Sequence, residues 1–156
     1  MKPFTEKAKT VFERIDFYNR YEALGKKYSF EKKLENYSND EVLRIIREWG
    51  SKARHMKSDN FFKITDKEKP FEFTLHFILK YGRVEVVMES EDQGTGEILG
   101  GLFAIICKLI ELSKGIDRDR YMAKPEFRDY DDLREIVKEI LSLYADFKRA
   151  IIKQHE

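Results

Sequence analysis

The chain has 156 residues, of which 42% are hydrophobic and 38% are charged. This length is usual for one domain, and it is long enough to bury roughly two-thirds of the unfolded surface. Basic and acidic residues balance, at 30 and 29, and apolar residues are too frequent for a disordered chain. We therefore expect one folded domain over residues 1–156.

The location of the protein is predicted from features that the sequence lacks. A single cysteine excludes an intramolecular disulfide and a zinc-binding cysteine cluster. No apolar run follows the first residues as it would in a signal peptide. The longest apolar stretch, residues 98–110, is about 13 residues long and too short to span a bilayer. We expect a cytoplasmic protein without a membrane partner.

Apolar residues spaced four and three apart predict a first helix over residues 5–24. Its stripe consists of Phe4, Ala8, Val11, Ile15 and Tyr18. Thr5 is expected to cap the N-terminus, and Gly25 stands where a left-handed residue commonly ends a helix. Residues 26–37 have no clear period, so we expect an irregular segment or a short helical turn.

A second helix is predicted over residues 39–56. Ser38 and Glu41 form the S-x-x-E pattern of a capping box, in which each side chain binds a backbone N–H at the other's position. The apolar face of this helix comprises Val42, Ile46, Trp49, Ala53 and Met56. The opposite face is basic and carries Arg44, Arg47 and Arg54.

Alternation of apolar and polar residues predicts strands over residues 61–65, 71–80 and 83–90. Tyr81 and Gly82 form a tight turn, because glycine tolerates a positive φ. A two-residue turn also sets the register of the hairpin. It pairs Leu79 with Val84, Phe77 with Val86, and Leu75 with Met88.

A third helix is predicted over residues 97–113. It is apolar nearly all round, which is typical of a helix buried on most sides, so we expect it to lie across the sheet. Gly100 and Gly101 would then allow close packing of its backbone on the strands. The shared core is predicted to contain Phe73, Leu75, Phe77, Val84, Val86 and Met88 together with Leu102, Ile106 and Leu109.

The last helix is predicted over residues 132–152, with Asp132 and Glu135 as its cap. Its heptad-like stripe consists of Leu133, Val137, Ile140, Tyr144, Phe147 and Ile151. The first helix has the same spacing, so we expect the two to pack lengthwise. The predicted fold is α+β, with a three-stranded antiparallel sheet on a buried apolar helix and flanking amphipathic helices at both chain ends.

The usual motifs of cofactor and nucleophile sites are incomplete. Gly94-Thr95-Gly96 lacks the third glycine of a dinucleotide fingerprint, and Glu97 places negative charge where a phosphate would bind. Cys107 stands in the most apolar helix, so we expect an inert core thiol. The acidic segment 115–132 fails the spacing of an EF-hand, and the histidines lack metal-site spacing. We predict no cofactor, no metal site and no catalytic residue.

One acid–base cluster is nevertheless conceivable on the polar face of the hairpin. The predicted register sets His76 across from Val87, with Glu85 and Glu89 diagonal on the same face. If a helix covered that face, the three groups would form an acid–base site. An ordinary solvated strand face is the favoured interpretation.

Charge is unevenly distributed along the chain, and this points to partners rather than to chemistry. Residues 1–57 hold 14 basic and 9 acidic side chains, a net charge of +5. Residues 85–135 hold 7 basic and 13 acidic side chains, a net charge of −6. Segregated charge of this kind favours interaction surfaces.

Three functional hypotheses follow, in order of preference. The first is a non-enzymatic protein-binding module, of a regulatory, immunity or antitoxin type. Arg44, Arg47 and Arg54 would bind an acidic protein partner, and a homodimer is the other expectation. The second is a nucleic-acid-binding domain that uses the basic face of helix 39–56, although the acidic half argues against it. The third is an enzyme built on His76, Glu85 and Glu89.

Overall fold

A computed structural model describes residues 4–156 and shows one antiparallel sheet with helices packed on one face. In chain order the elements are α1 Glu6–Arg14, α2 Phe17–Lys27, α3 Asn39–Arg47, β1 Arg54–Met56, β2 Phe61–Glu68, β3 Phe71–Lys80, β4 Arg83–Asp92, β5 Ile98–Leu102, α4 Phe103–Ser113 and α5 Tyr130–His155. The α+β prediction is confirmed. The sheet, however, has five strands in the order β1-β2-β3-β4-β5 rather than three.

The β3–β4 hairpin has the predicted register. Leu79 pairs with Val84, and Phe77 pairs with Val86. Tyr81 and Gly82 have φ values of +54° and +73°, the sign pattern of the type I′ turn that matches the twist of two strands. The inward residues of both strands are buried: Phe73, Leu75, Phe77, Leu79, Val84, Val86 and Met88.

Aromatic rings join the helices to this inward face. The ring of Phe147 on α5 stacks on Phe12 of α1 at 5.7 Å and contacts Phe73 of β3 at 6.3 Å. Phe103 of α4 meets Phe17 of α2 edge-on at 4.8 Å. The first and last helices therefore pack together as predicted, because their apolar stripes meet over the sheet.

The predicted helix 5–24 is two helices. Thr5 caps the first as expected, since its Oγ1 accepts a hydrogen bond from the Ala8 N–H at 3.1 Å. Asp16 then adopts a left-handed conformation, with φ of +53°, and the chain changes direction before α2. The change of direction turns Phe17 and Tyr21 onto Phe103, a tertiary contact that helical periodicity does not report.

The predicted helix 39–56 ends at Arg47. Ser38 caps it, because Ser38 Oγ accepts from the Glu41 N–H at 3.3 Å, but the Glu41 carboxylate binds Arg44 instead of closing the capping box. Gly50, with φ of +89°, reverses the chain, and β1 begins at Arg54. Trp49 is consequently 42% exposed rather than buried on a helix face.

The predicted helix 97–113 begins only at Phe103, because the residues before it form β5 on the edge of β4. Gly100 and Gly101 have φ values of +112° and +149°, which an α-helix does not allow. The apolar run could supply either a strand or a helix. The first half of the apolar run is a strand because it pairs with β4.

The last helix, α5, is longer than predicted and carries the predicted stripe on its buried side. Asp129 rather than Asp132 caps it, because Asp129 Oδ1 accepts from the Asp132 N–H at 2.8 Å. Asp132 is held by Arg128, whose Nε lies 2.8 Å from its Oδ2. Among residues 4–156, no helix combines the length and the apolar character needed to cross a membrane.

Candidate functional site

A groove of about 800 Å³ lies along the outer edge of β5. β5 has a neighbouring strand on one side only, so its other side presents backbone groups without a strand partner. Four elements line the groove, and we refer to it as the edge groove. Its principal lining residues are Ala8 of α1, Val87 of β4, Ile98 and Gly101 of β5, and Ile105 and Leu109 of α4.

Two adjacent glycines shape the floor of the edge groove. A Cβ atom on Gly100 would lie 2.1 Å from the Met88 carbonyl oxygen, so only glycine lets β5 approach β4 this closely. A Cβ atom on Gly101 would meet nothing within 4 Å. Gly100 therefore fixes the strand, whereas the missing side chain of Gly101 leaves space in the groove.

The walls of the edge groove are apolar and incompletely covered. Ile98 is 43% exposed, and Leu102, Ile105 and Leu109 are half-buried. Leu102 and Leu109 were predicted to be in the core, but they line this groove. Ile106 is buried as predicted. Apolar side chains that share an open concave surface are typical of binding sites.

The polar groups of the edge groove are acidic. Glu89 and Glu97 both line it. Lys7 of α1 lies beside it, with its Nζ 3.1 Å from Glu97 Oε1 in an ion pair whose two side chains are half exposed. An exposed pair of this kind is weak, at roughly 0–1 kcal/mol, so a competing cation can replace Lys7.

His76 lies on the outward face of the sheet, paired with Val87 as predicted. Its ring contacts the Phe61 ring at 4.6 Å, and its buried Nε2 makes no hydrogen bond with a described residue. Burial lowers the pKa of His76, and the nearby positive charge of Lys63 lowers it further, while Glu89 opposes both. The neutral imidazole is therefore favoured.

The predicted acid–base cluster is assembled only in part. Glu85 and Glu89 occupy the same face of the sheet as His76. They lie two residues before and two residues after Val87, the partner of His76, as predicted. Glu85 is bound to Lys124, with Nζ 3.2 Å from Oε2. Glu89 lines the edge groove, but His76 and Glu85 do not. The three groups therefore do not share this cavity, and the enzyme hypothesis stays a prediction.

Gly94-Thr95-Gly96 forms the turn between β4 and β5, so it connects two strands rather than a strand and a helix. The Asp92 carboxylate accepts hydrogen bonds from the Gly94 and Thr95 N–H groups, at 2.9 Å and 3.3 Å. A phosphate loop needs such N–H groups for its ligand. Here a carboxylate of the chain already occupies them.

Cys107 is buried on α4. Burial raises the pKa of its thiol to about 12, with Glu111 and Glu22 acting in the same direction. A protonated, enclosed thiol is a poor nucleophile, which supports the predicted structural role. Within the part of the chain that the structure describes, no cluster of three or more His, Cys, Asp or Glu side chains could hold a metal ion.

The three arginines predicted to bind a partner do not share one helix face. Arg44 is ion-paired with Glu41 on α3. The Arg47 Nε donates to the Ala53 carbonyl at 2.8 Å and so supports the turn that follows α3. Arg54 lies on β1, across from Lys63. Their partner-binding role stays a prediction, but its geometric basis, a continuous helix, is wrong.

Sequence reasoning missed the edge groove because it assigned Ile98, Gly101 and Ile105 to one buried helix. The available signal was the glycine pair inside an apolar run, since two consecutive glycines disfavour a helix and are compatible with an edge strand. The strand 83–90 was predicted, but local patterns did not show that residues 98–102 pair with it.

Comparison with known proteins finds no matching family model, no matching curated protein and no matching solved structure.

Proposed function

We propose that the protein is a non-enzymatic, regulatory protein-binding module whose site is the edge groove. The occupant is an extended segment of a partner protein that lies along β5. The observation that carries this proposal is the coincidence of an unpaired strand edge with a groove of about 800 Å³. In strand addition, backbone hydrogen bonds to such an edge give affinity, and adjacent pockets for alternate side chains give specificity.

The chemistry of the segment follows from the groove that receives it. The apolar walls formed by Val87, Ile105 and Leu109 favour apolar side chains. Glu89 and Glu97 favour lysine or arginine beside them, since opposite charges across an interface select the partner and its register. The segment is thus apolar with basic flanks, opposite in charge to the acidic partner expected from the arginines.

A second copy of the chain is the competing occupant of this edge. Edge strands pair readily with edge strands, and pairing of two β5 strands would join two sheets. Symmetric pairing would bring Glu89 and Glu97 of both copies to one shared interface. The resulting repulsion between like charges favours a different, basic partner.

The test is a display library of random peptides of about 10 residues, the length of a long strand. Selection against the full chain should enrich peptides that alternate apolar residues and carry Lys or Arg near the ends. Ile98→Lys, which places a cation on the groove wall, should weaken the selected peptides at least about tenfold, or 1.4 kcal/mol. Fluorescence anisotropy of labelled peptides measures the affinity.

Leu112→Lys is the matched control. Leu112 is 47% exposed, close to the 43% of Ile98, and lies on α4 without lining the edge groove. Equal loss in both variants would contradict the proposal, and so would a library that yields no enriched peptide. A dimer in sedimentation that Ile98→Lys dissociates and Leu112→Lys preserves would replace the partner segment by a second copy.

A further inference from the structure

A second groove, of about 690 Å³, lies at the opposite side of the sheet. β1 pairs only with Phe61–Lys63 of β2, so the outer side of β2 from Ile64 onward has no strand partner. The α3–β1 connection and α5 form the walls beside this edge. We call it the tryptophan groove, and its principal lining residues are Trp49, Lys52, Lys67, Lys138 and Lys148.

Trp49 is the single tryptophan of the chain and lies at the surface. Its 42% exposure follows from the end of α3 at Arg47 and the reversal at Gly50, which together hold the indole outside the core. A large aromatic side chain loses favourable burial when it stays in water. Its position on a groove wall therefore suits a planar ligand that covers it.

The charge of the tryptophan groove is positive. Four lysines line it, against Asp66 as the acidic lining residue. Lys148 is bound to Asp66, with Nζ 3.2 Å from Oδ2, and the Tyr144 hydroxyl donates to the same oxygen at 2.8 Å. Lys52 and Lys138 form no ion pair with a described residue, so their charges are available to an anion.

We propose that the tryptophan groove binds single-stranded nucleic acid. A base would stack on the Trp49 indole, and backbone phosphates would lie against Lys52 and Lys138. An aromatic platform beside a positively charged groove is the arrangement that binds single strands with little sequence preference. A duplex keeps its bases stacked on one another, so it cannot offer a base face to the indole.

This site is independent of the edge groove. The two share no principal lining residue, and the nucleic-acid hypothesis drawn from the sequence relied on Arg44, Arg47 and Arg54, which do not line this groove. The signal available in the sequence was the spacing of Lys138, Leu141, Ala145 and Lys148, which places them on one side of α5. Because Trp49 was predicted to be in the core, the sequence provided no reason to place it beside the lysines of α5.

The test uses fluorescently labelled oligo(dT) and oligo(rU) of about 15 nucleotides, a typical site size for single-strand binding. Anisotropy measures binding, and quenching of the single tryptophan reports directly on stacking. Trp49→Ala should weaken binding at least about fivefold, whereas Trp49→Phe, which keeps an aromatic face, should retain most of the affinity. Lys52→Gln with Lys138→Gln should reduce the slope of log affinity against log salt by about 1.4, since each phosphate contact on a single strand contributes about 0.7.

The matched control is Lys26→Gln with Lys32→Gln, which removes the same charge from exposed lysines outside the groove. This control should leave the salt slope unchanged. Equal effects of the two double variants would overturn the proposal, as would binding without a change in tryptophan fluorescence, or no binding. A duplex or a free mononucleotide bound as tightly as the single strand would also overturn it.

Discussion

The two edges of the sheet end in grooves of opposite chemistry. Along β5, apolar walls are bordered by Glu89 and Glu97. Along β2 from Ile64 onward, the exposed indole of Trp49 is surrounded by lysines. The backbone offers similar unpaired groups at both edges, because each edge has a strand on one side only.

The two edges differ in whether a further strand can pair with them. Lysine side chains on a sheet edge discourage another strand from pairing, since pairing would bury their charges. The β2 edge is therefore protected from strand addition and suited to an anion. The β5 edge has apolar neighbours and two glycines in place of lysines, so a strand can approach it. Under the two proposals, side chains rather than the backbone distinguish the partners of the two edges.

Both edges pack on one hydrophobic core, so we expect a substitution in that core to cause the largest loss of stability. Phe77 is fully buried in the central strand β3, so Phe77→Ala should lower the free energy of unfolding by about 3–5 kcal/mol. Trp49 fluorescence reports on the β2 edge and circular dichroism on the whole chain. The two should give coincident denaturant transitions. Separate transitions would show that the two edges unfold independently and do not share one core.

The second effect concerns the β5 edge alone. Gly100→Ala places a Cβ atom against the Met88 carbonyl at a φ of +112°, so we expect a loss of about 2–4 kcal/mol. Gly101→Ala is also strained, at a φ of +149°, but its Cβ meets no atom within 4 Å, so it should lose only about 1 kcal/mol. Urea unfolding measures both. Equal losses would mean that β5 does not pack on β4 as described.

The smallest effect concerns the connection to the β2 edge. Arg47 donates to the Ala53 carbonyl and holds the segment between Trp49 and β1, so Arg47→Gln should lose about 1–2 kcal/mol. Arg44→Gln removes only an exposed pair with Glu41 and should lose less than about 0.5 kcal/mol. Chemical denaturation of the two variants tests the distinction. A larger loss for Arg44 would contradict it.

Much of the centre of the molecule could be predicted from the sequence. Strict alternation and the Tyr81-Gly82 turn gave the register of β3 and β4, because each residue of a hairpin has a local partner set by the turn. The stripe of α5 and the Thr5 and Ser38 caps were also predicted, since helical period and capping depend on residues only a few positions apart.

The candidate sites could not be predicted in the same way. Both grooves lie where the chain leaves its expected element: α3 stops before Trp49, and the apolar run before Phe103 becomes β5. Each change pairs the segment with the strand next to it along the chain, β1 with β2 across residues 57–60 and β5 with β4 across residues 93–97. Local propensity is too weak to compete with such tertiary pairing.

The sequence by itself determined the α+β class, the central hairpin and the buried stripes, because these depend on patterns that neighbouring residues complete. The tertiary structure alone decided the five-stranded order, the exposure of Trp49 and the position of Ile98 on a groove wall. These features arise where pairing with a neighbouring strand outweighs helical propensity. The surfaces available to partners are created at those same places.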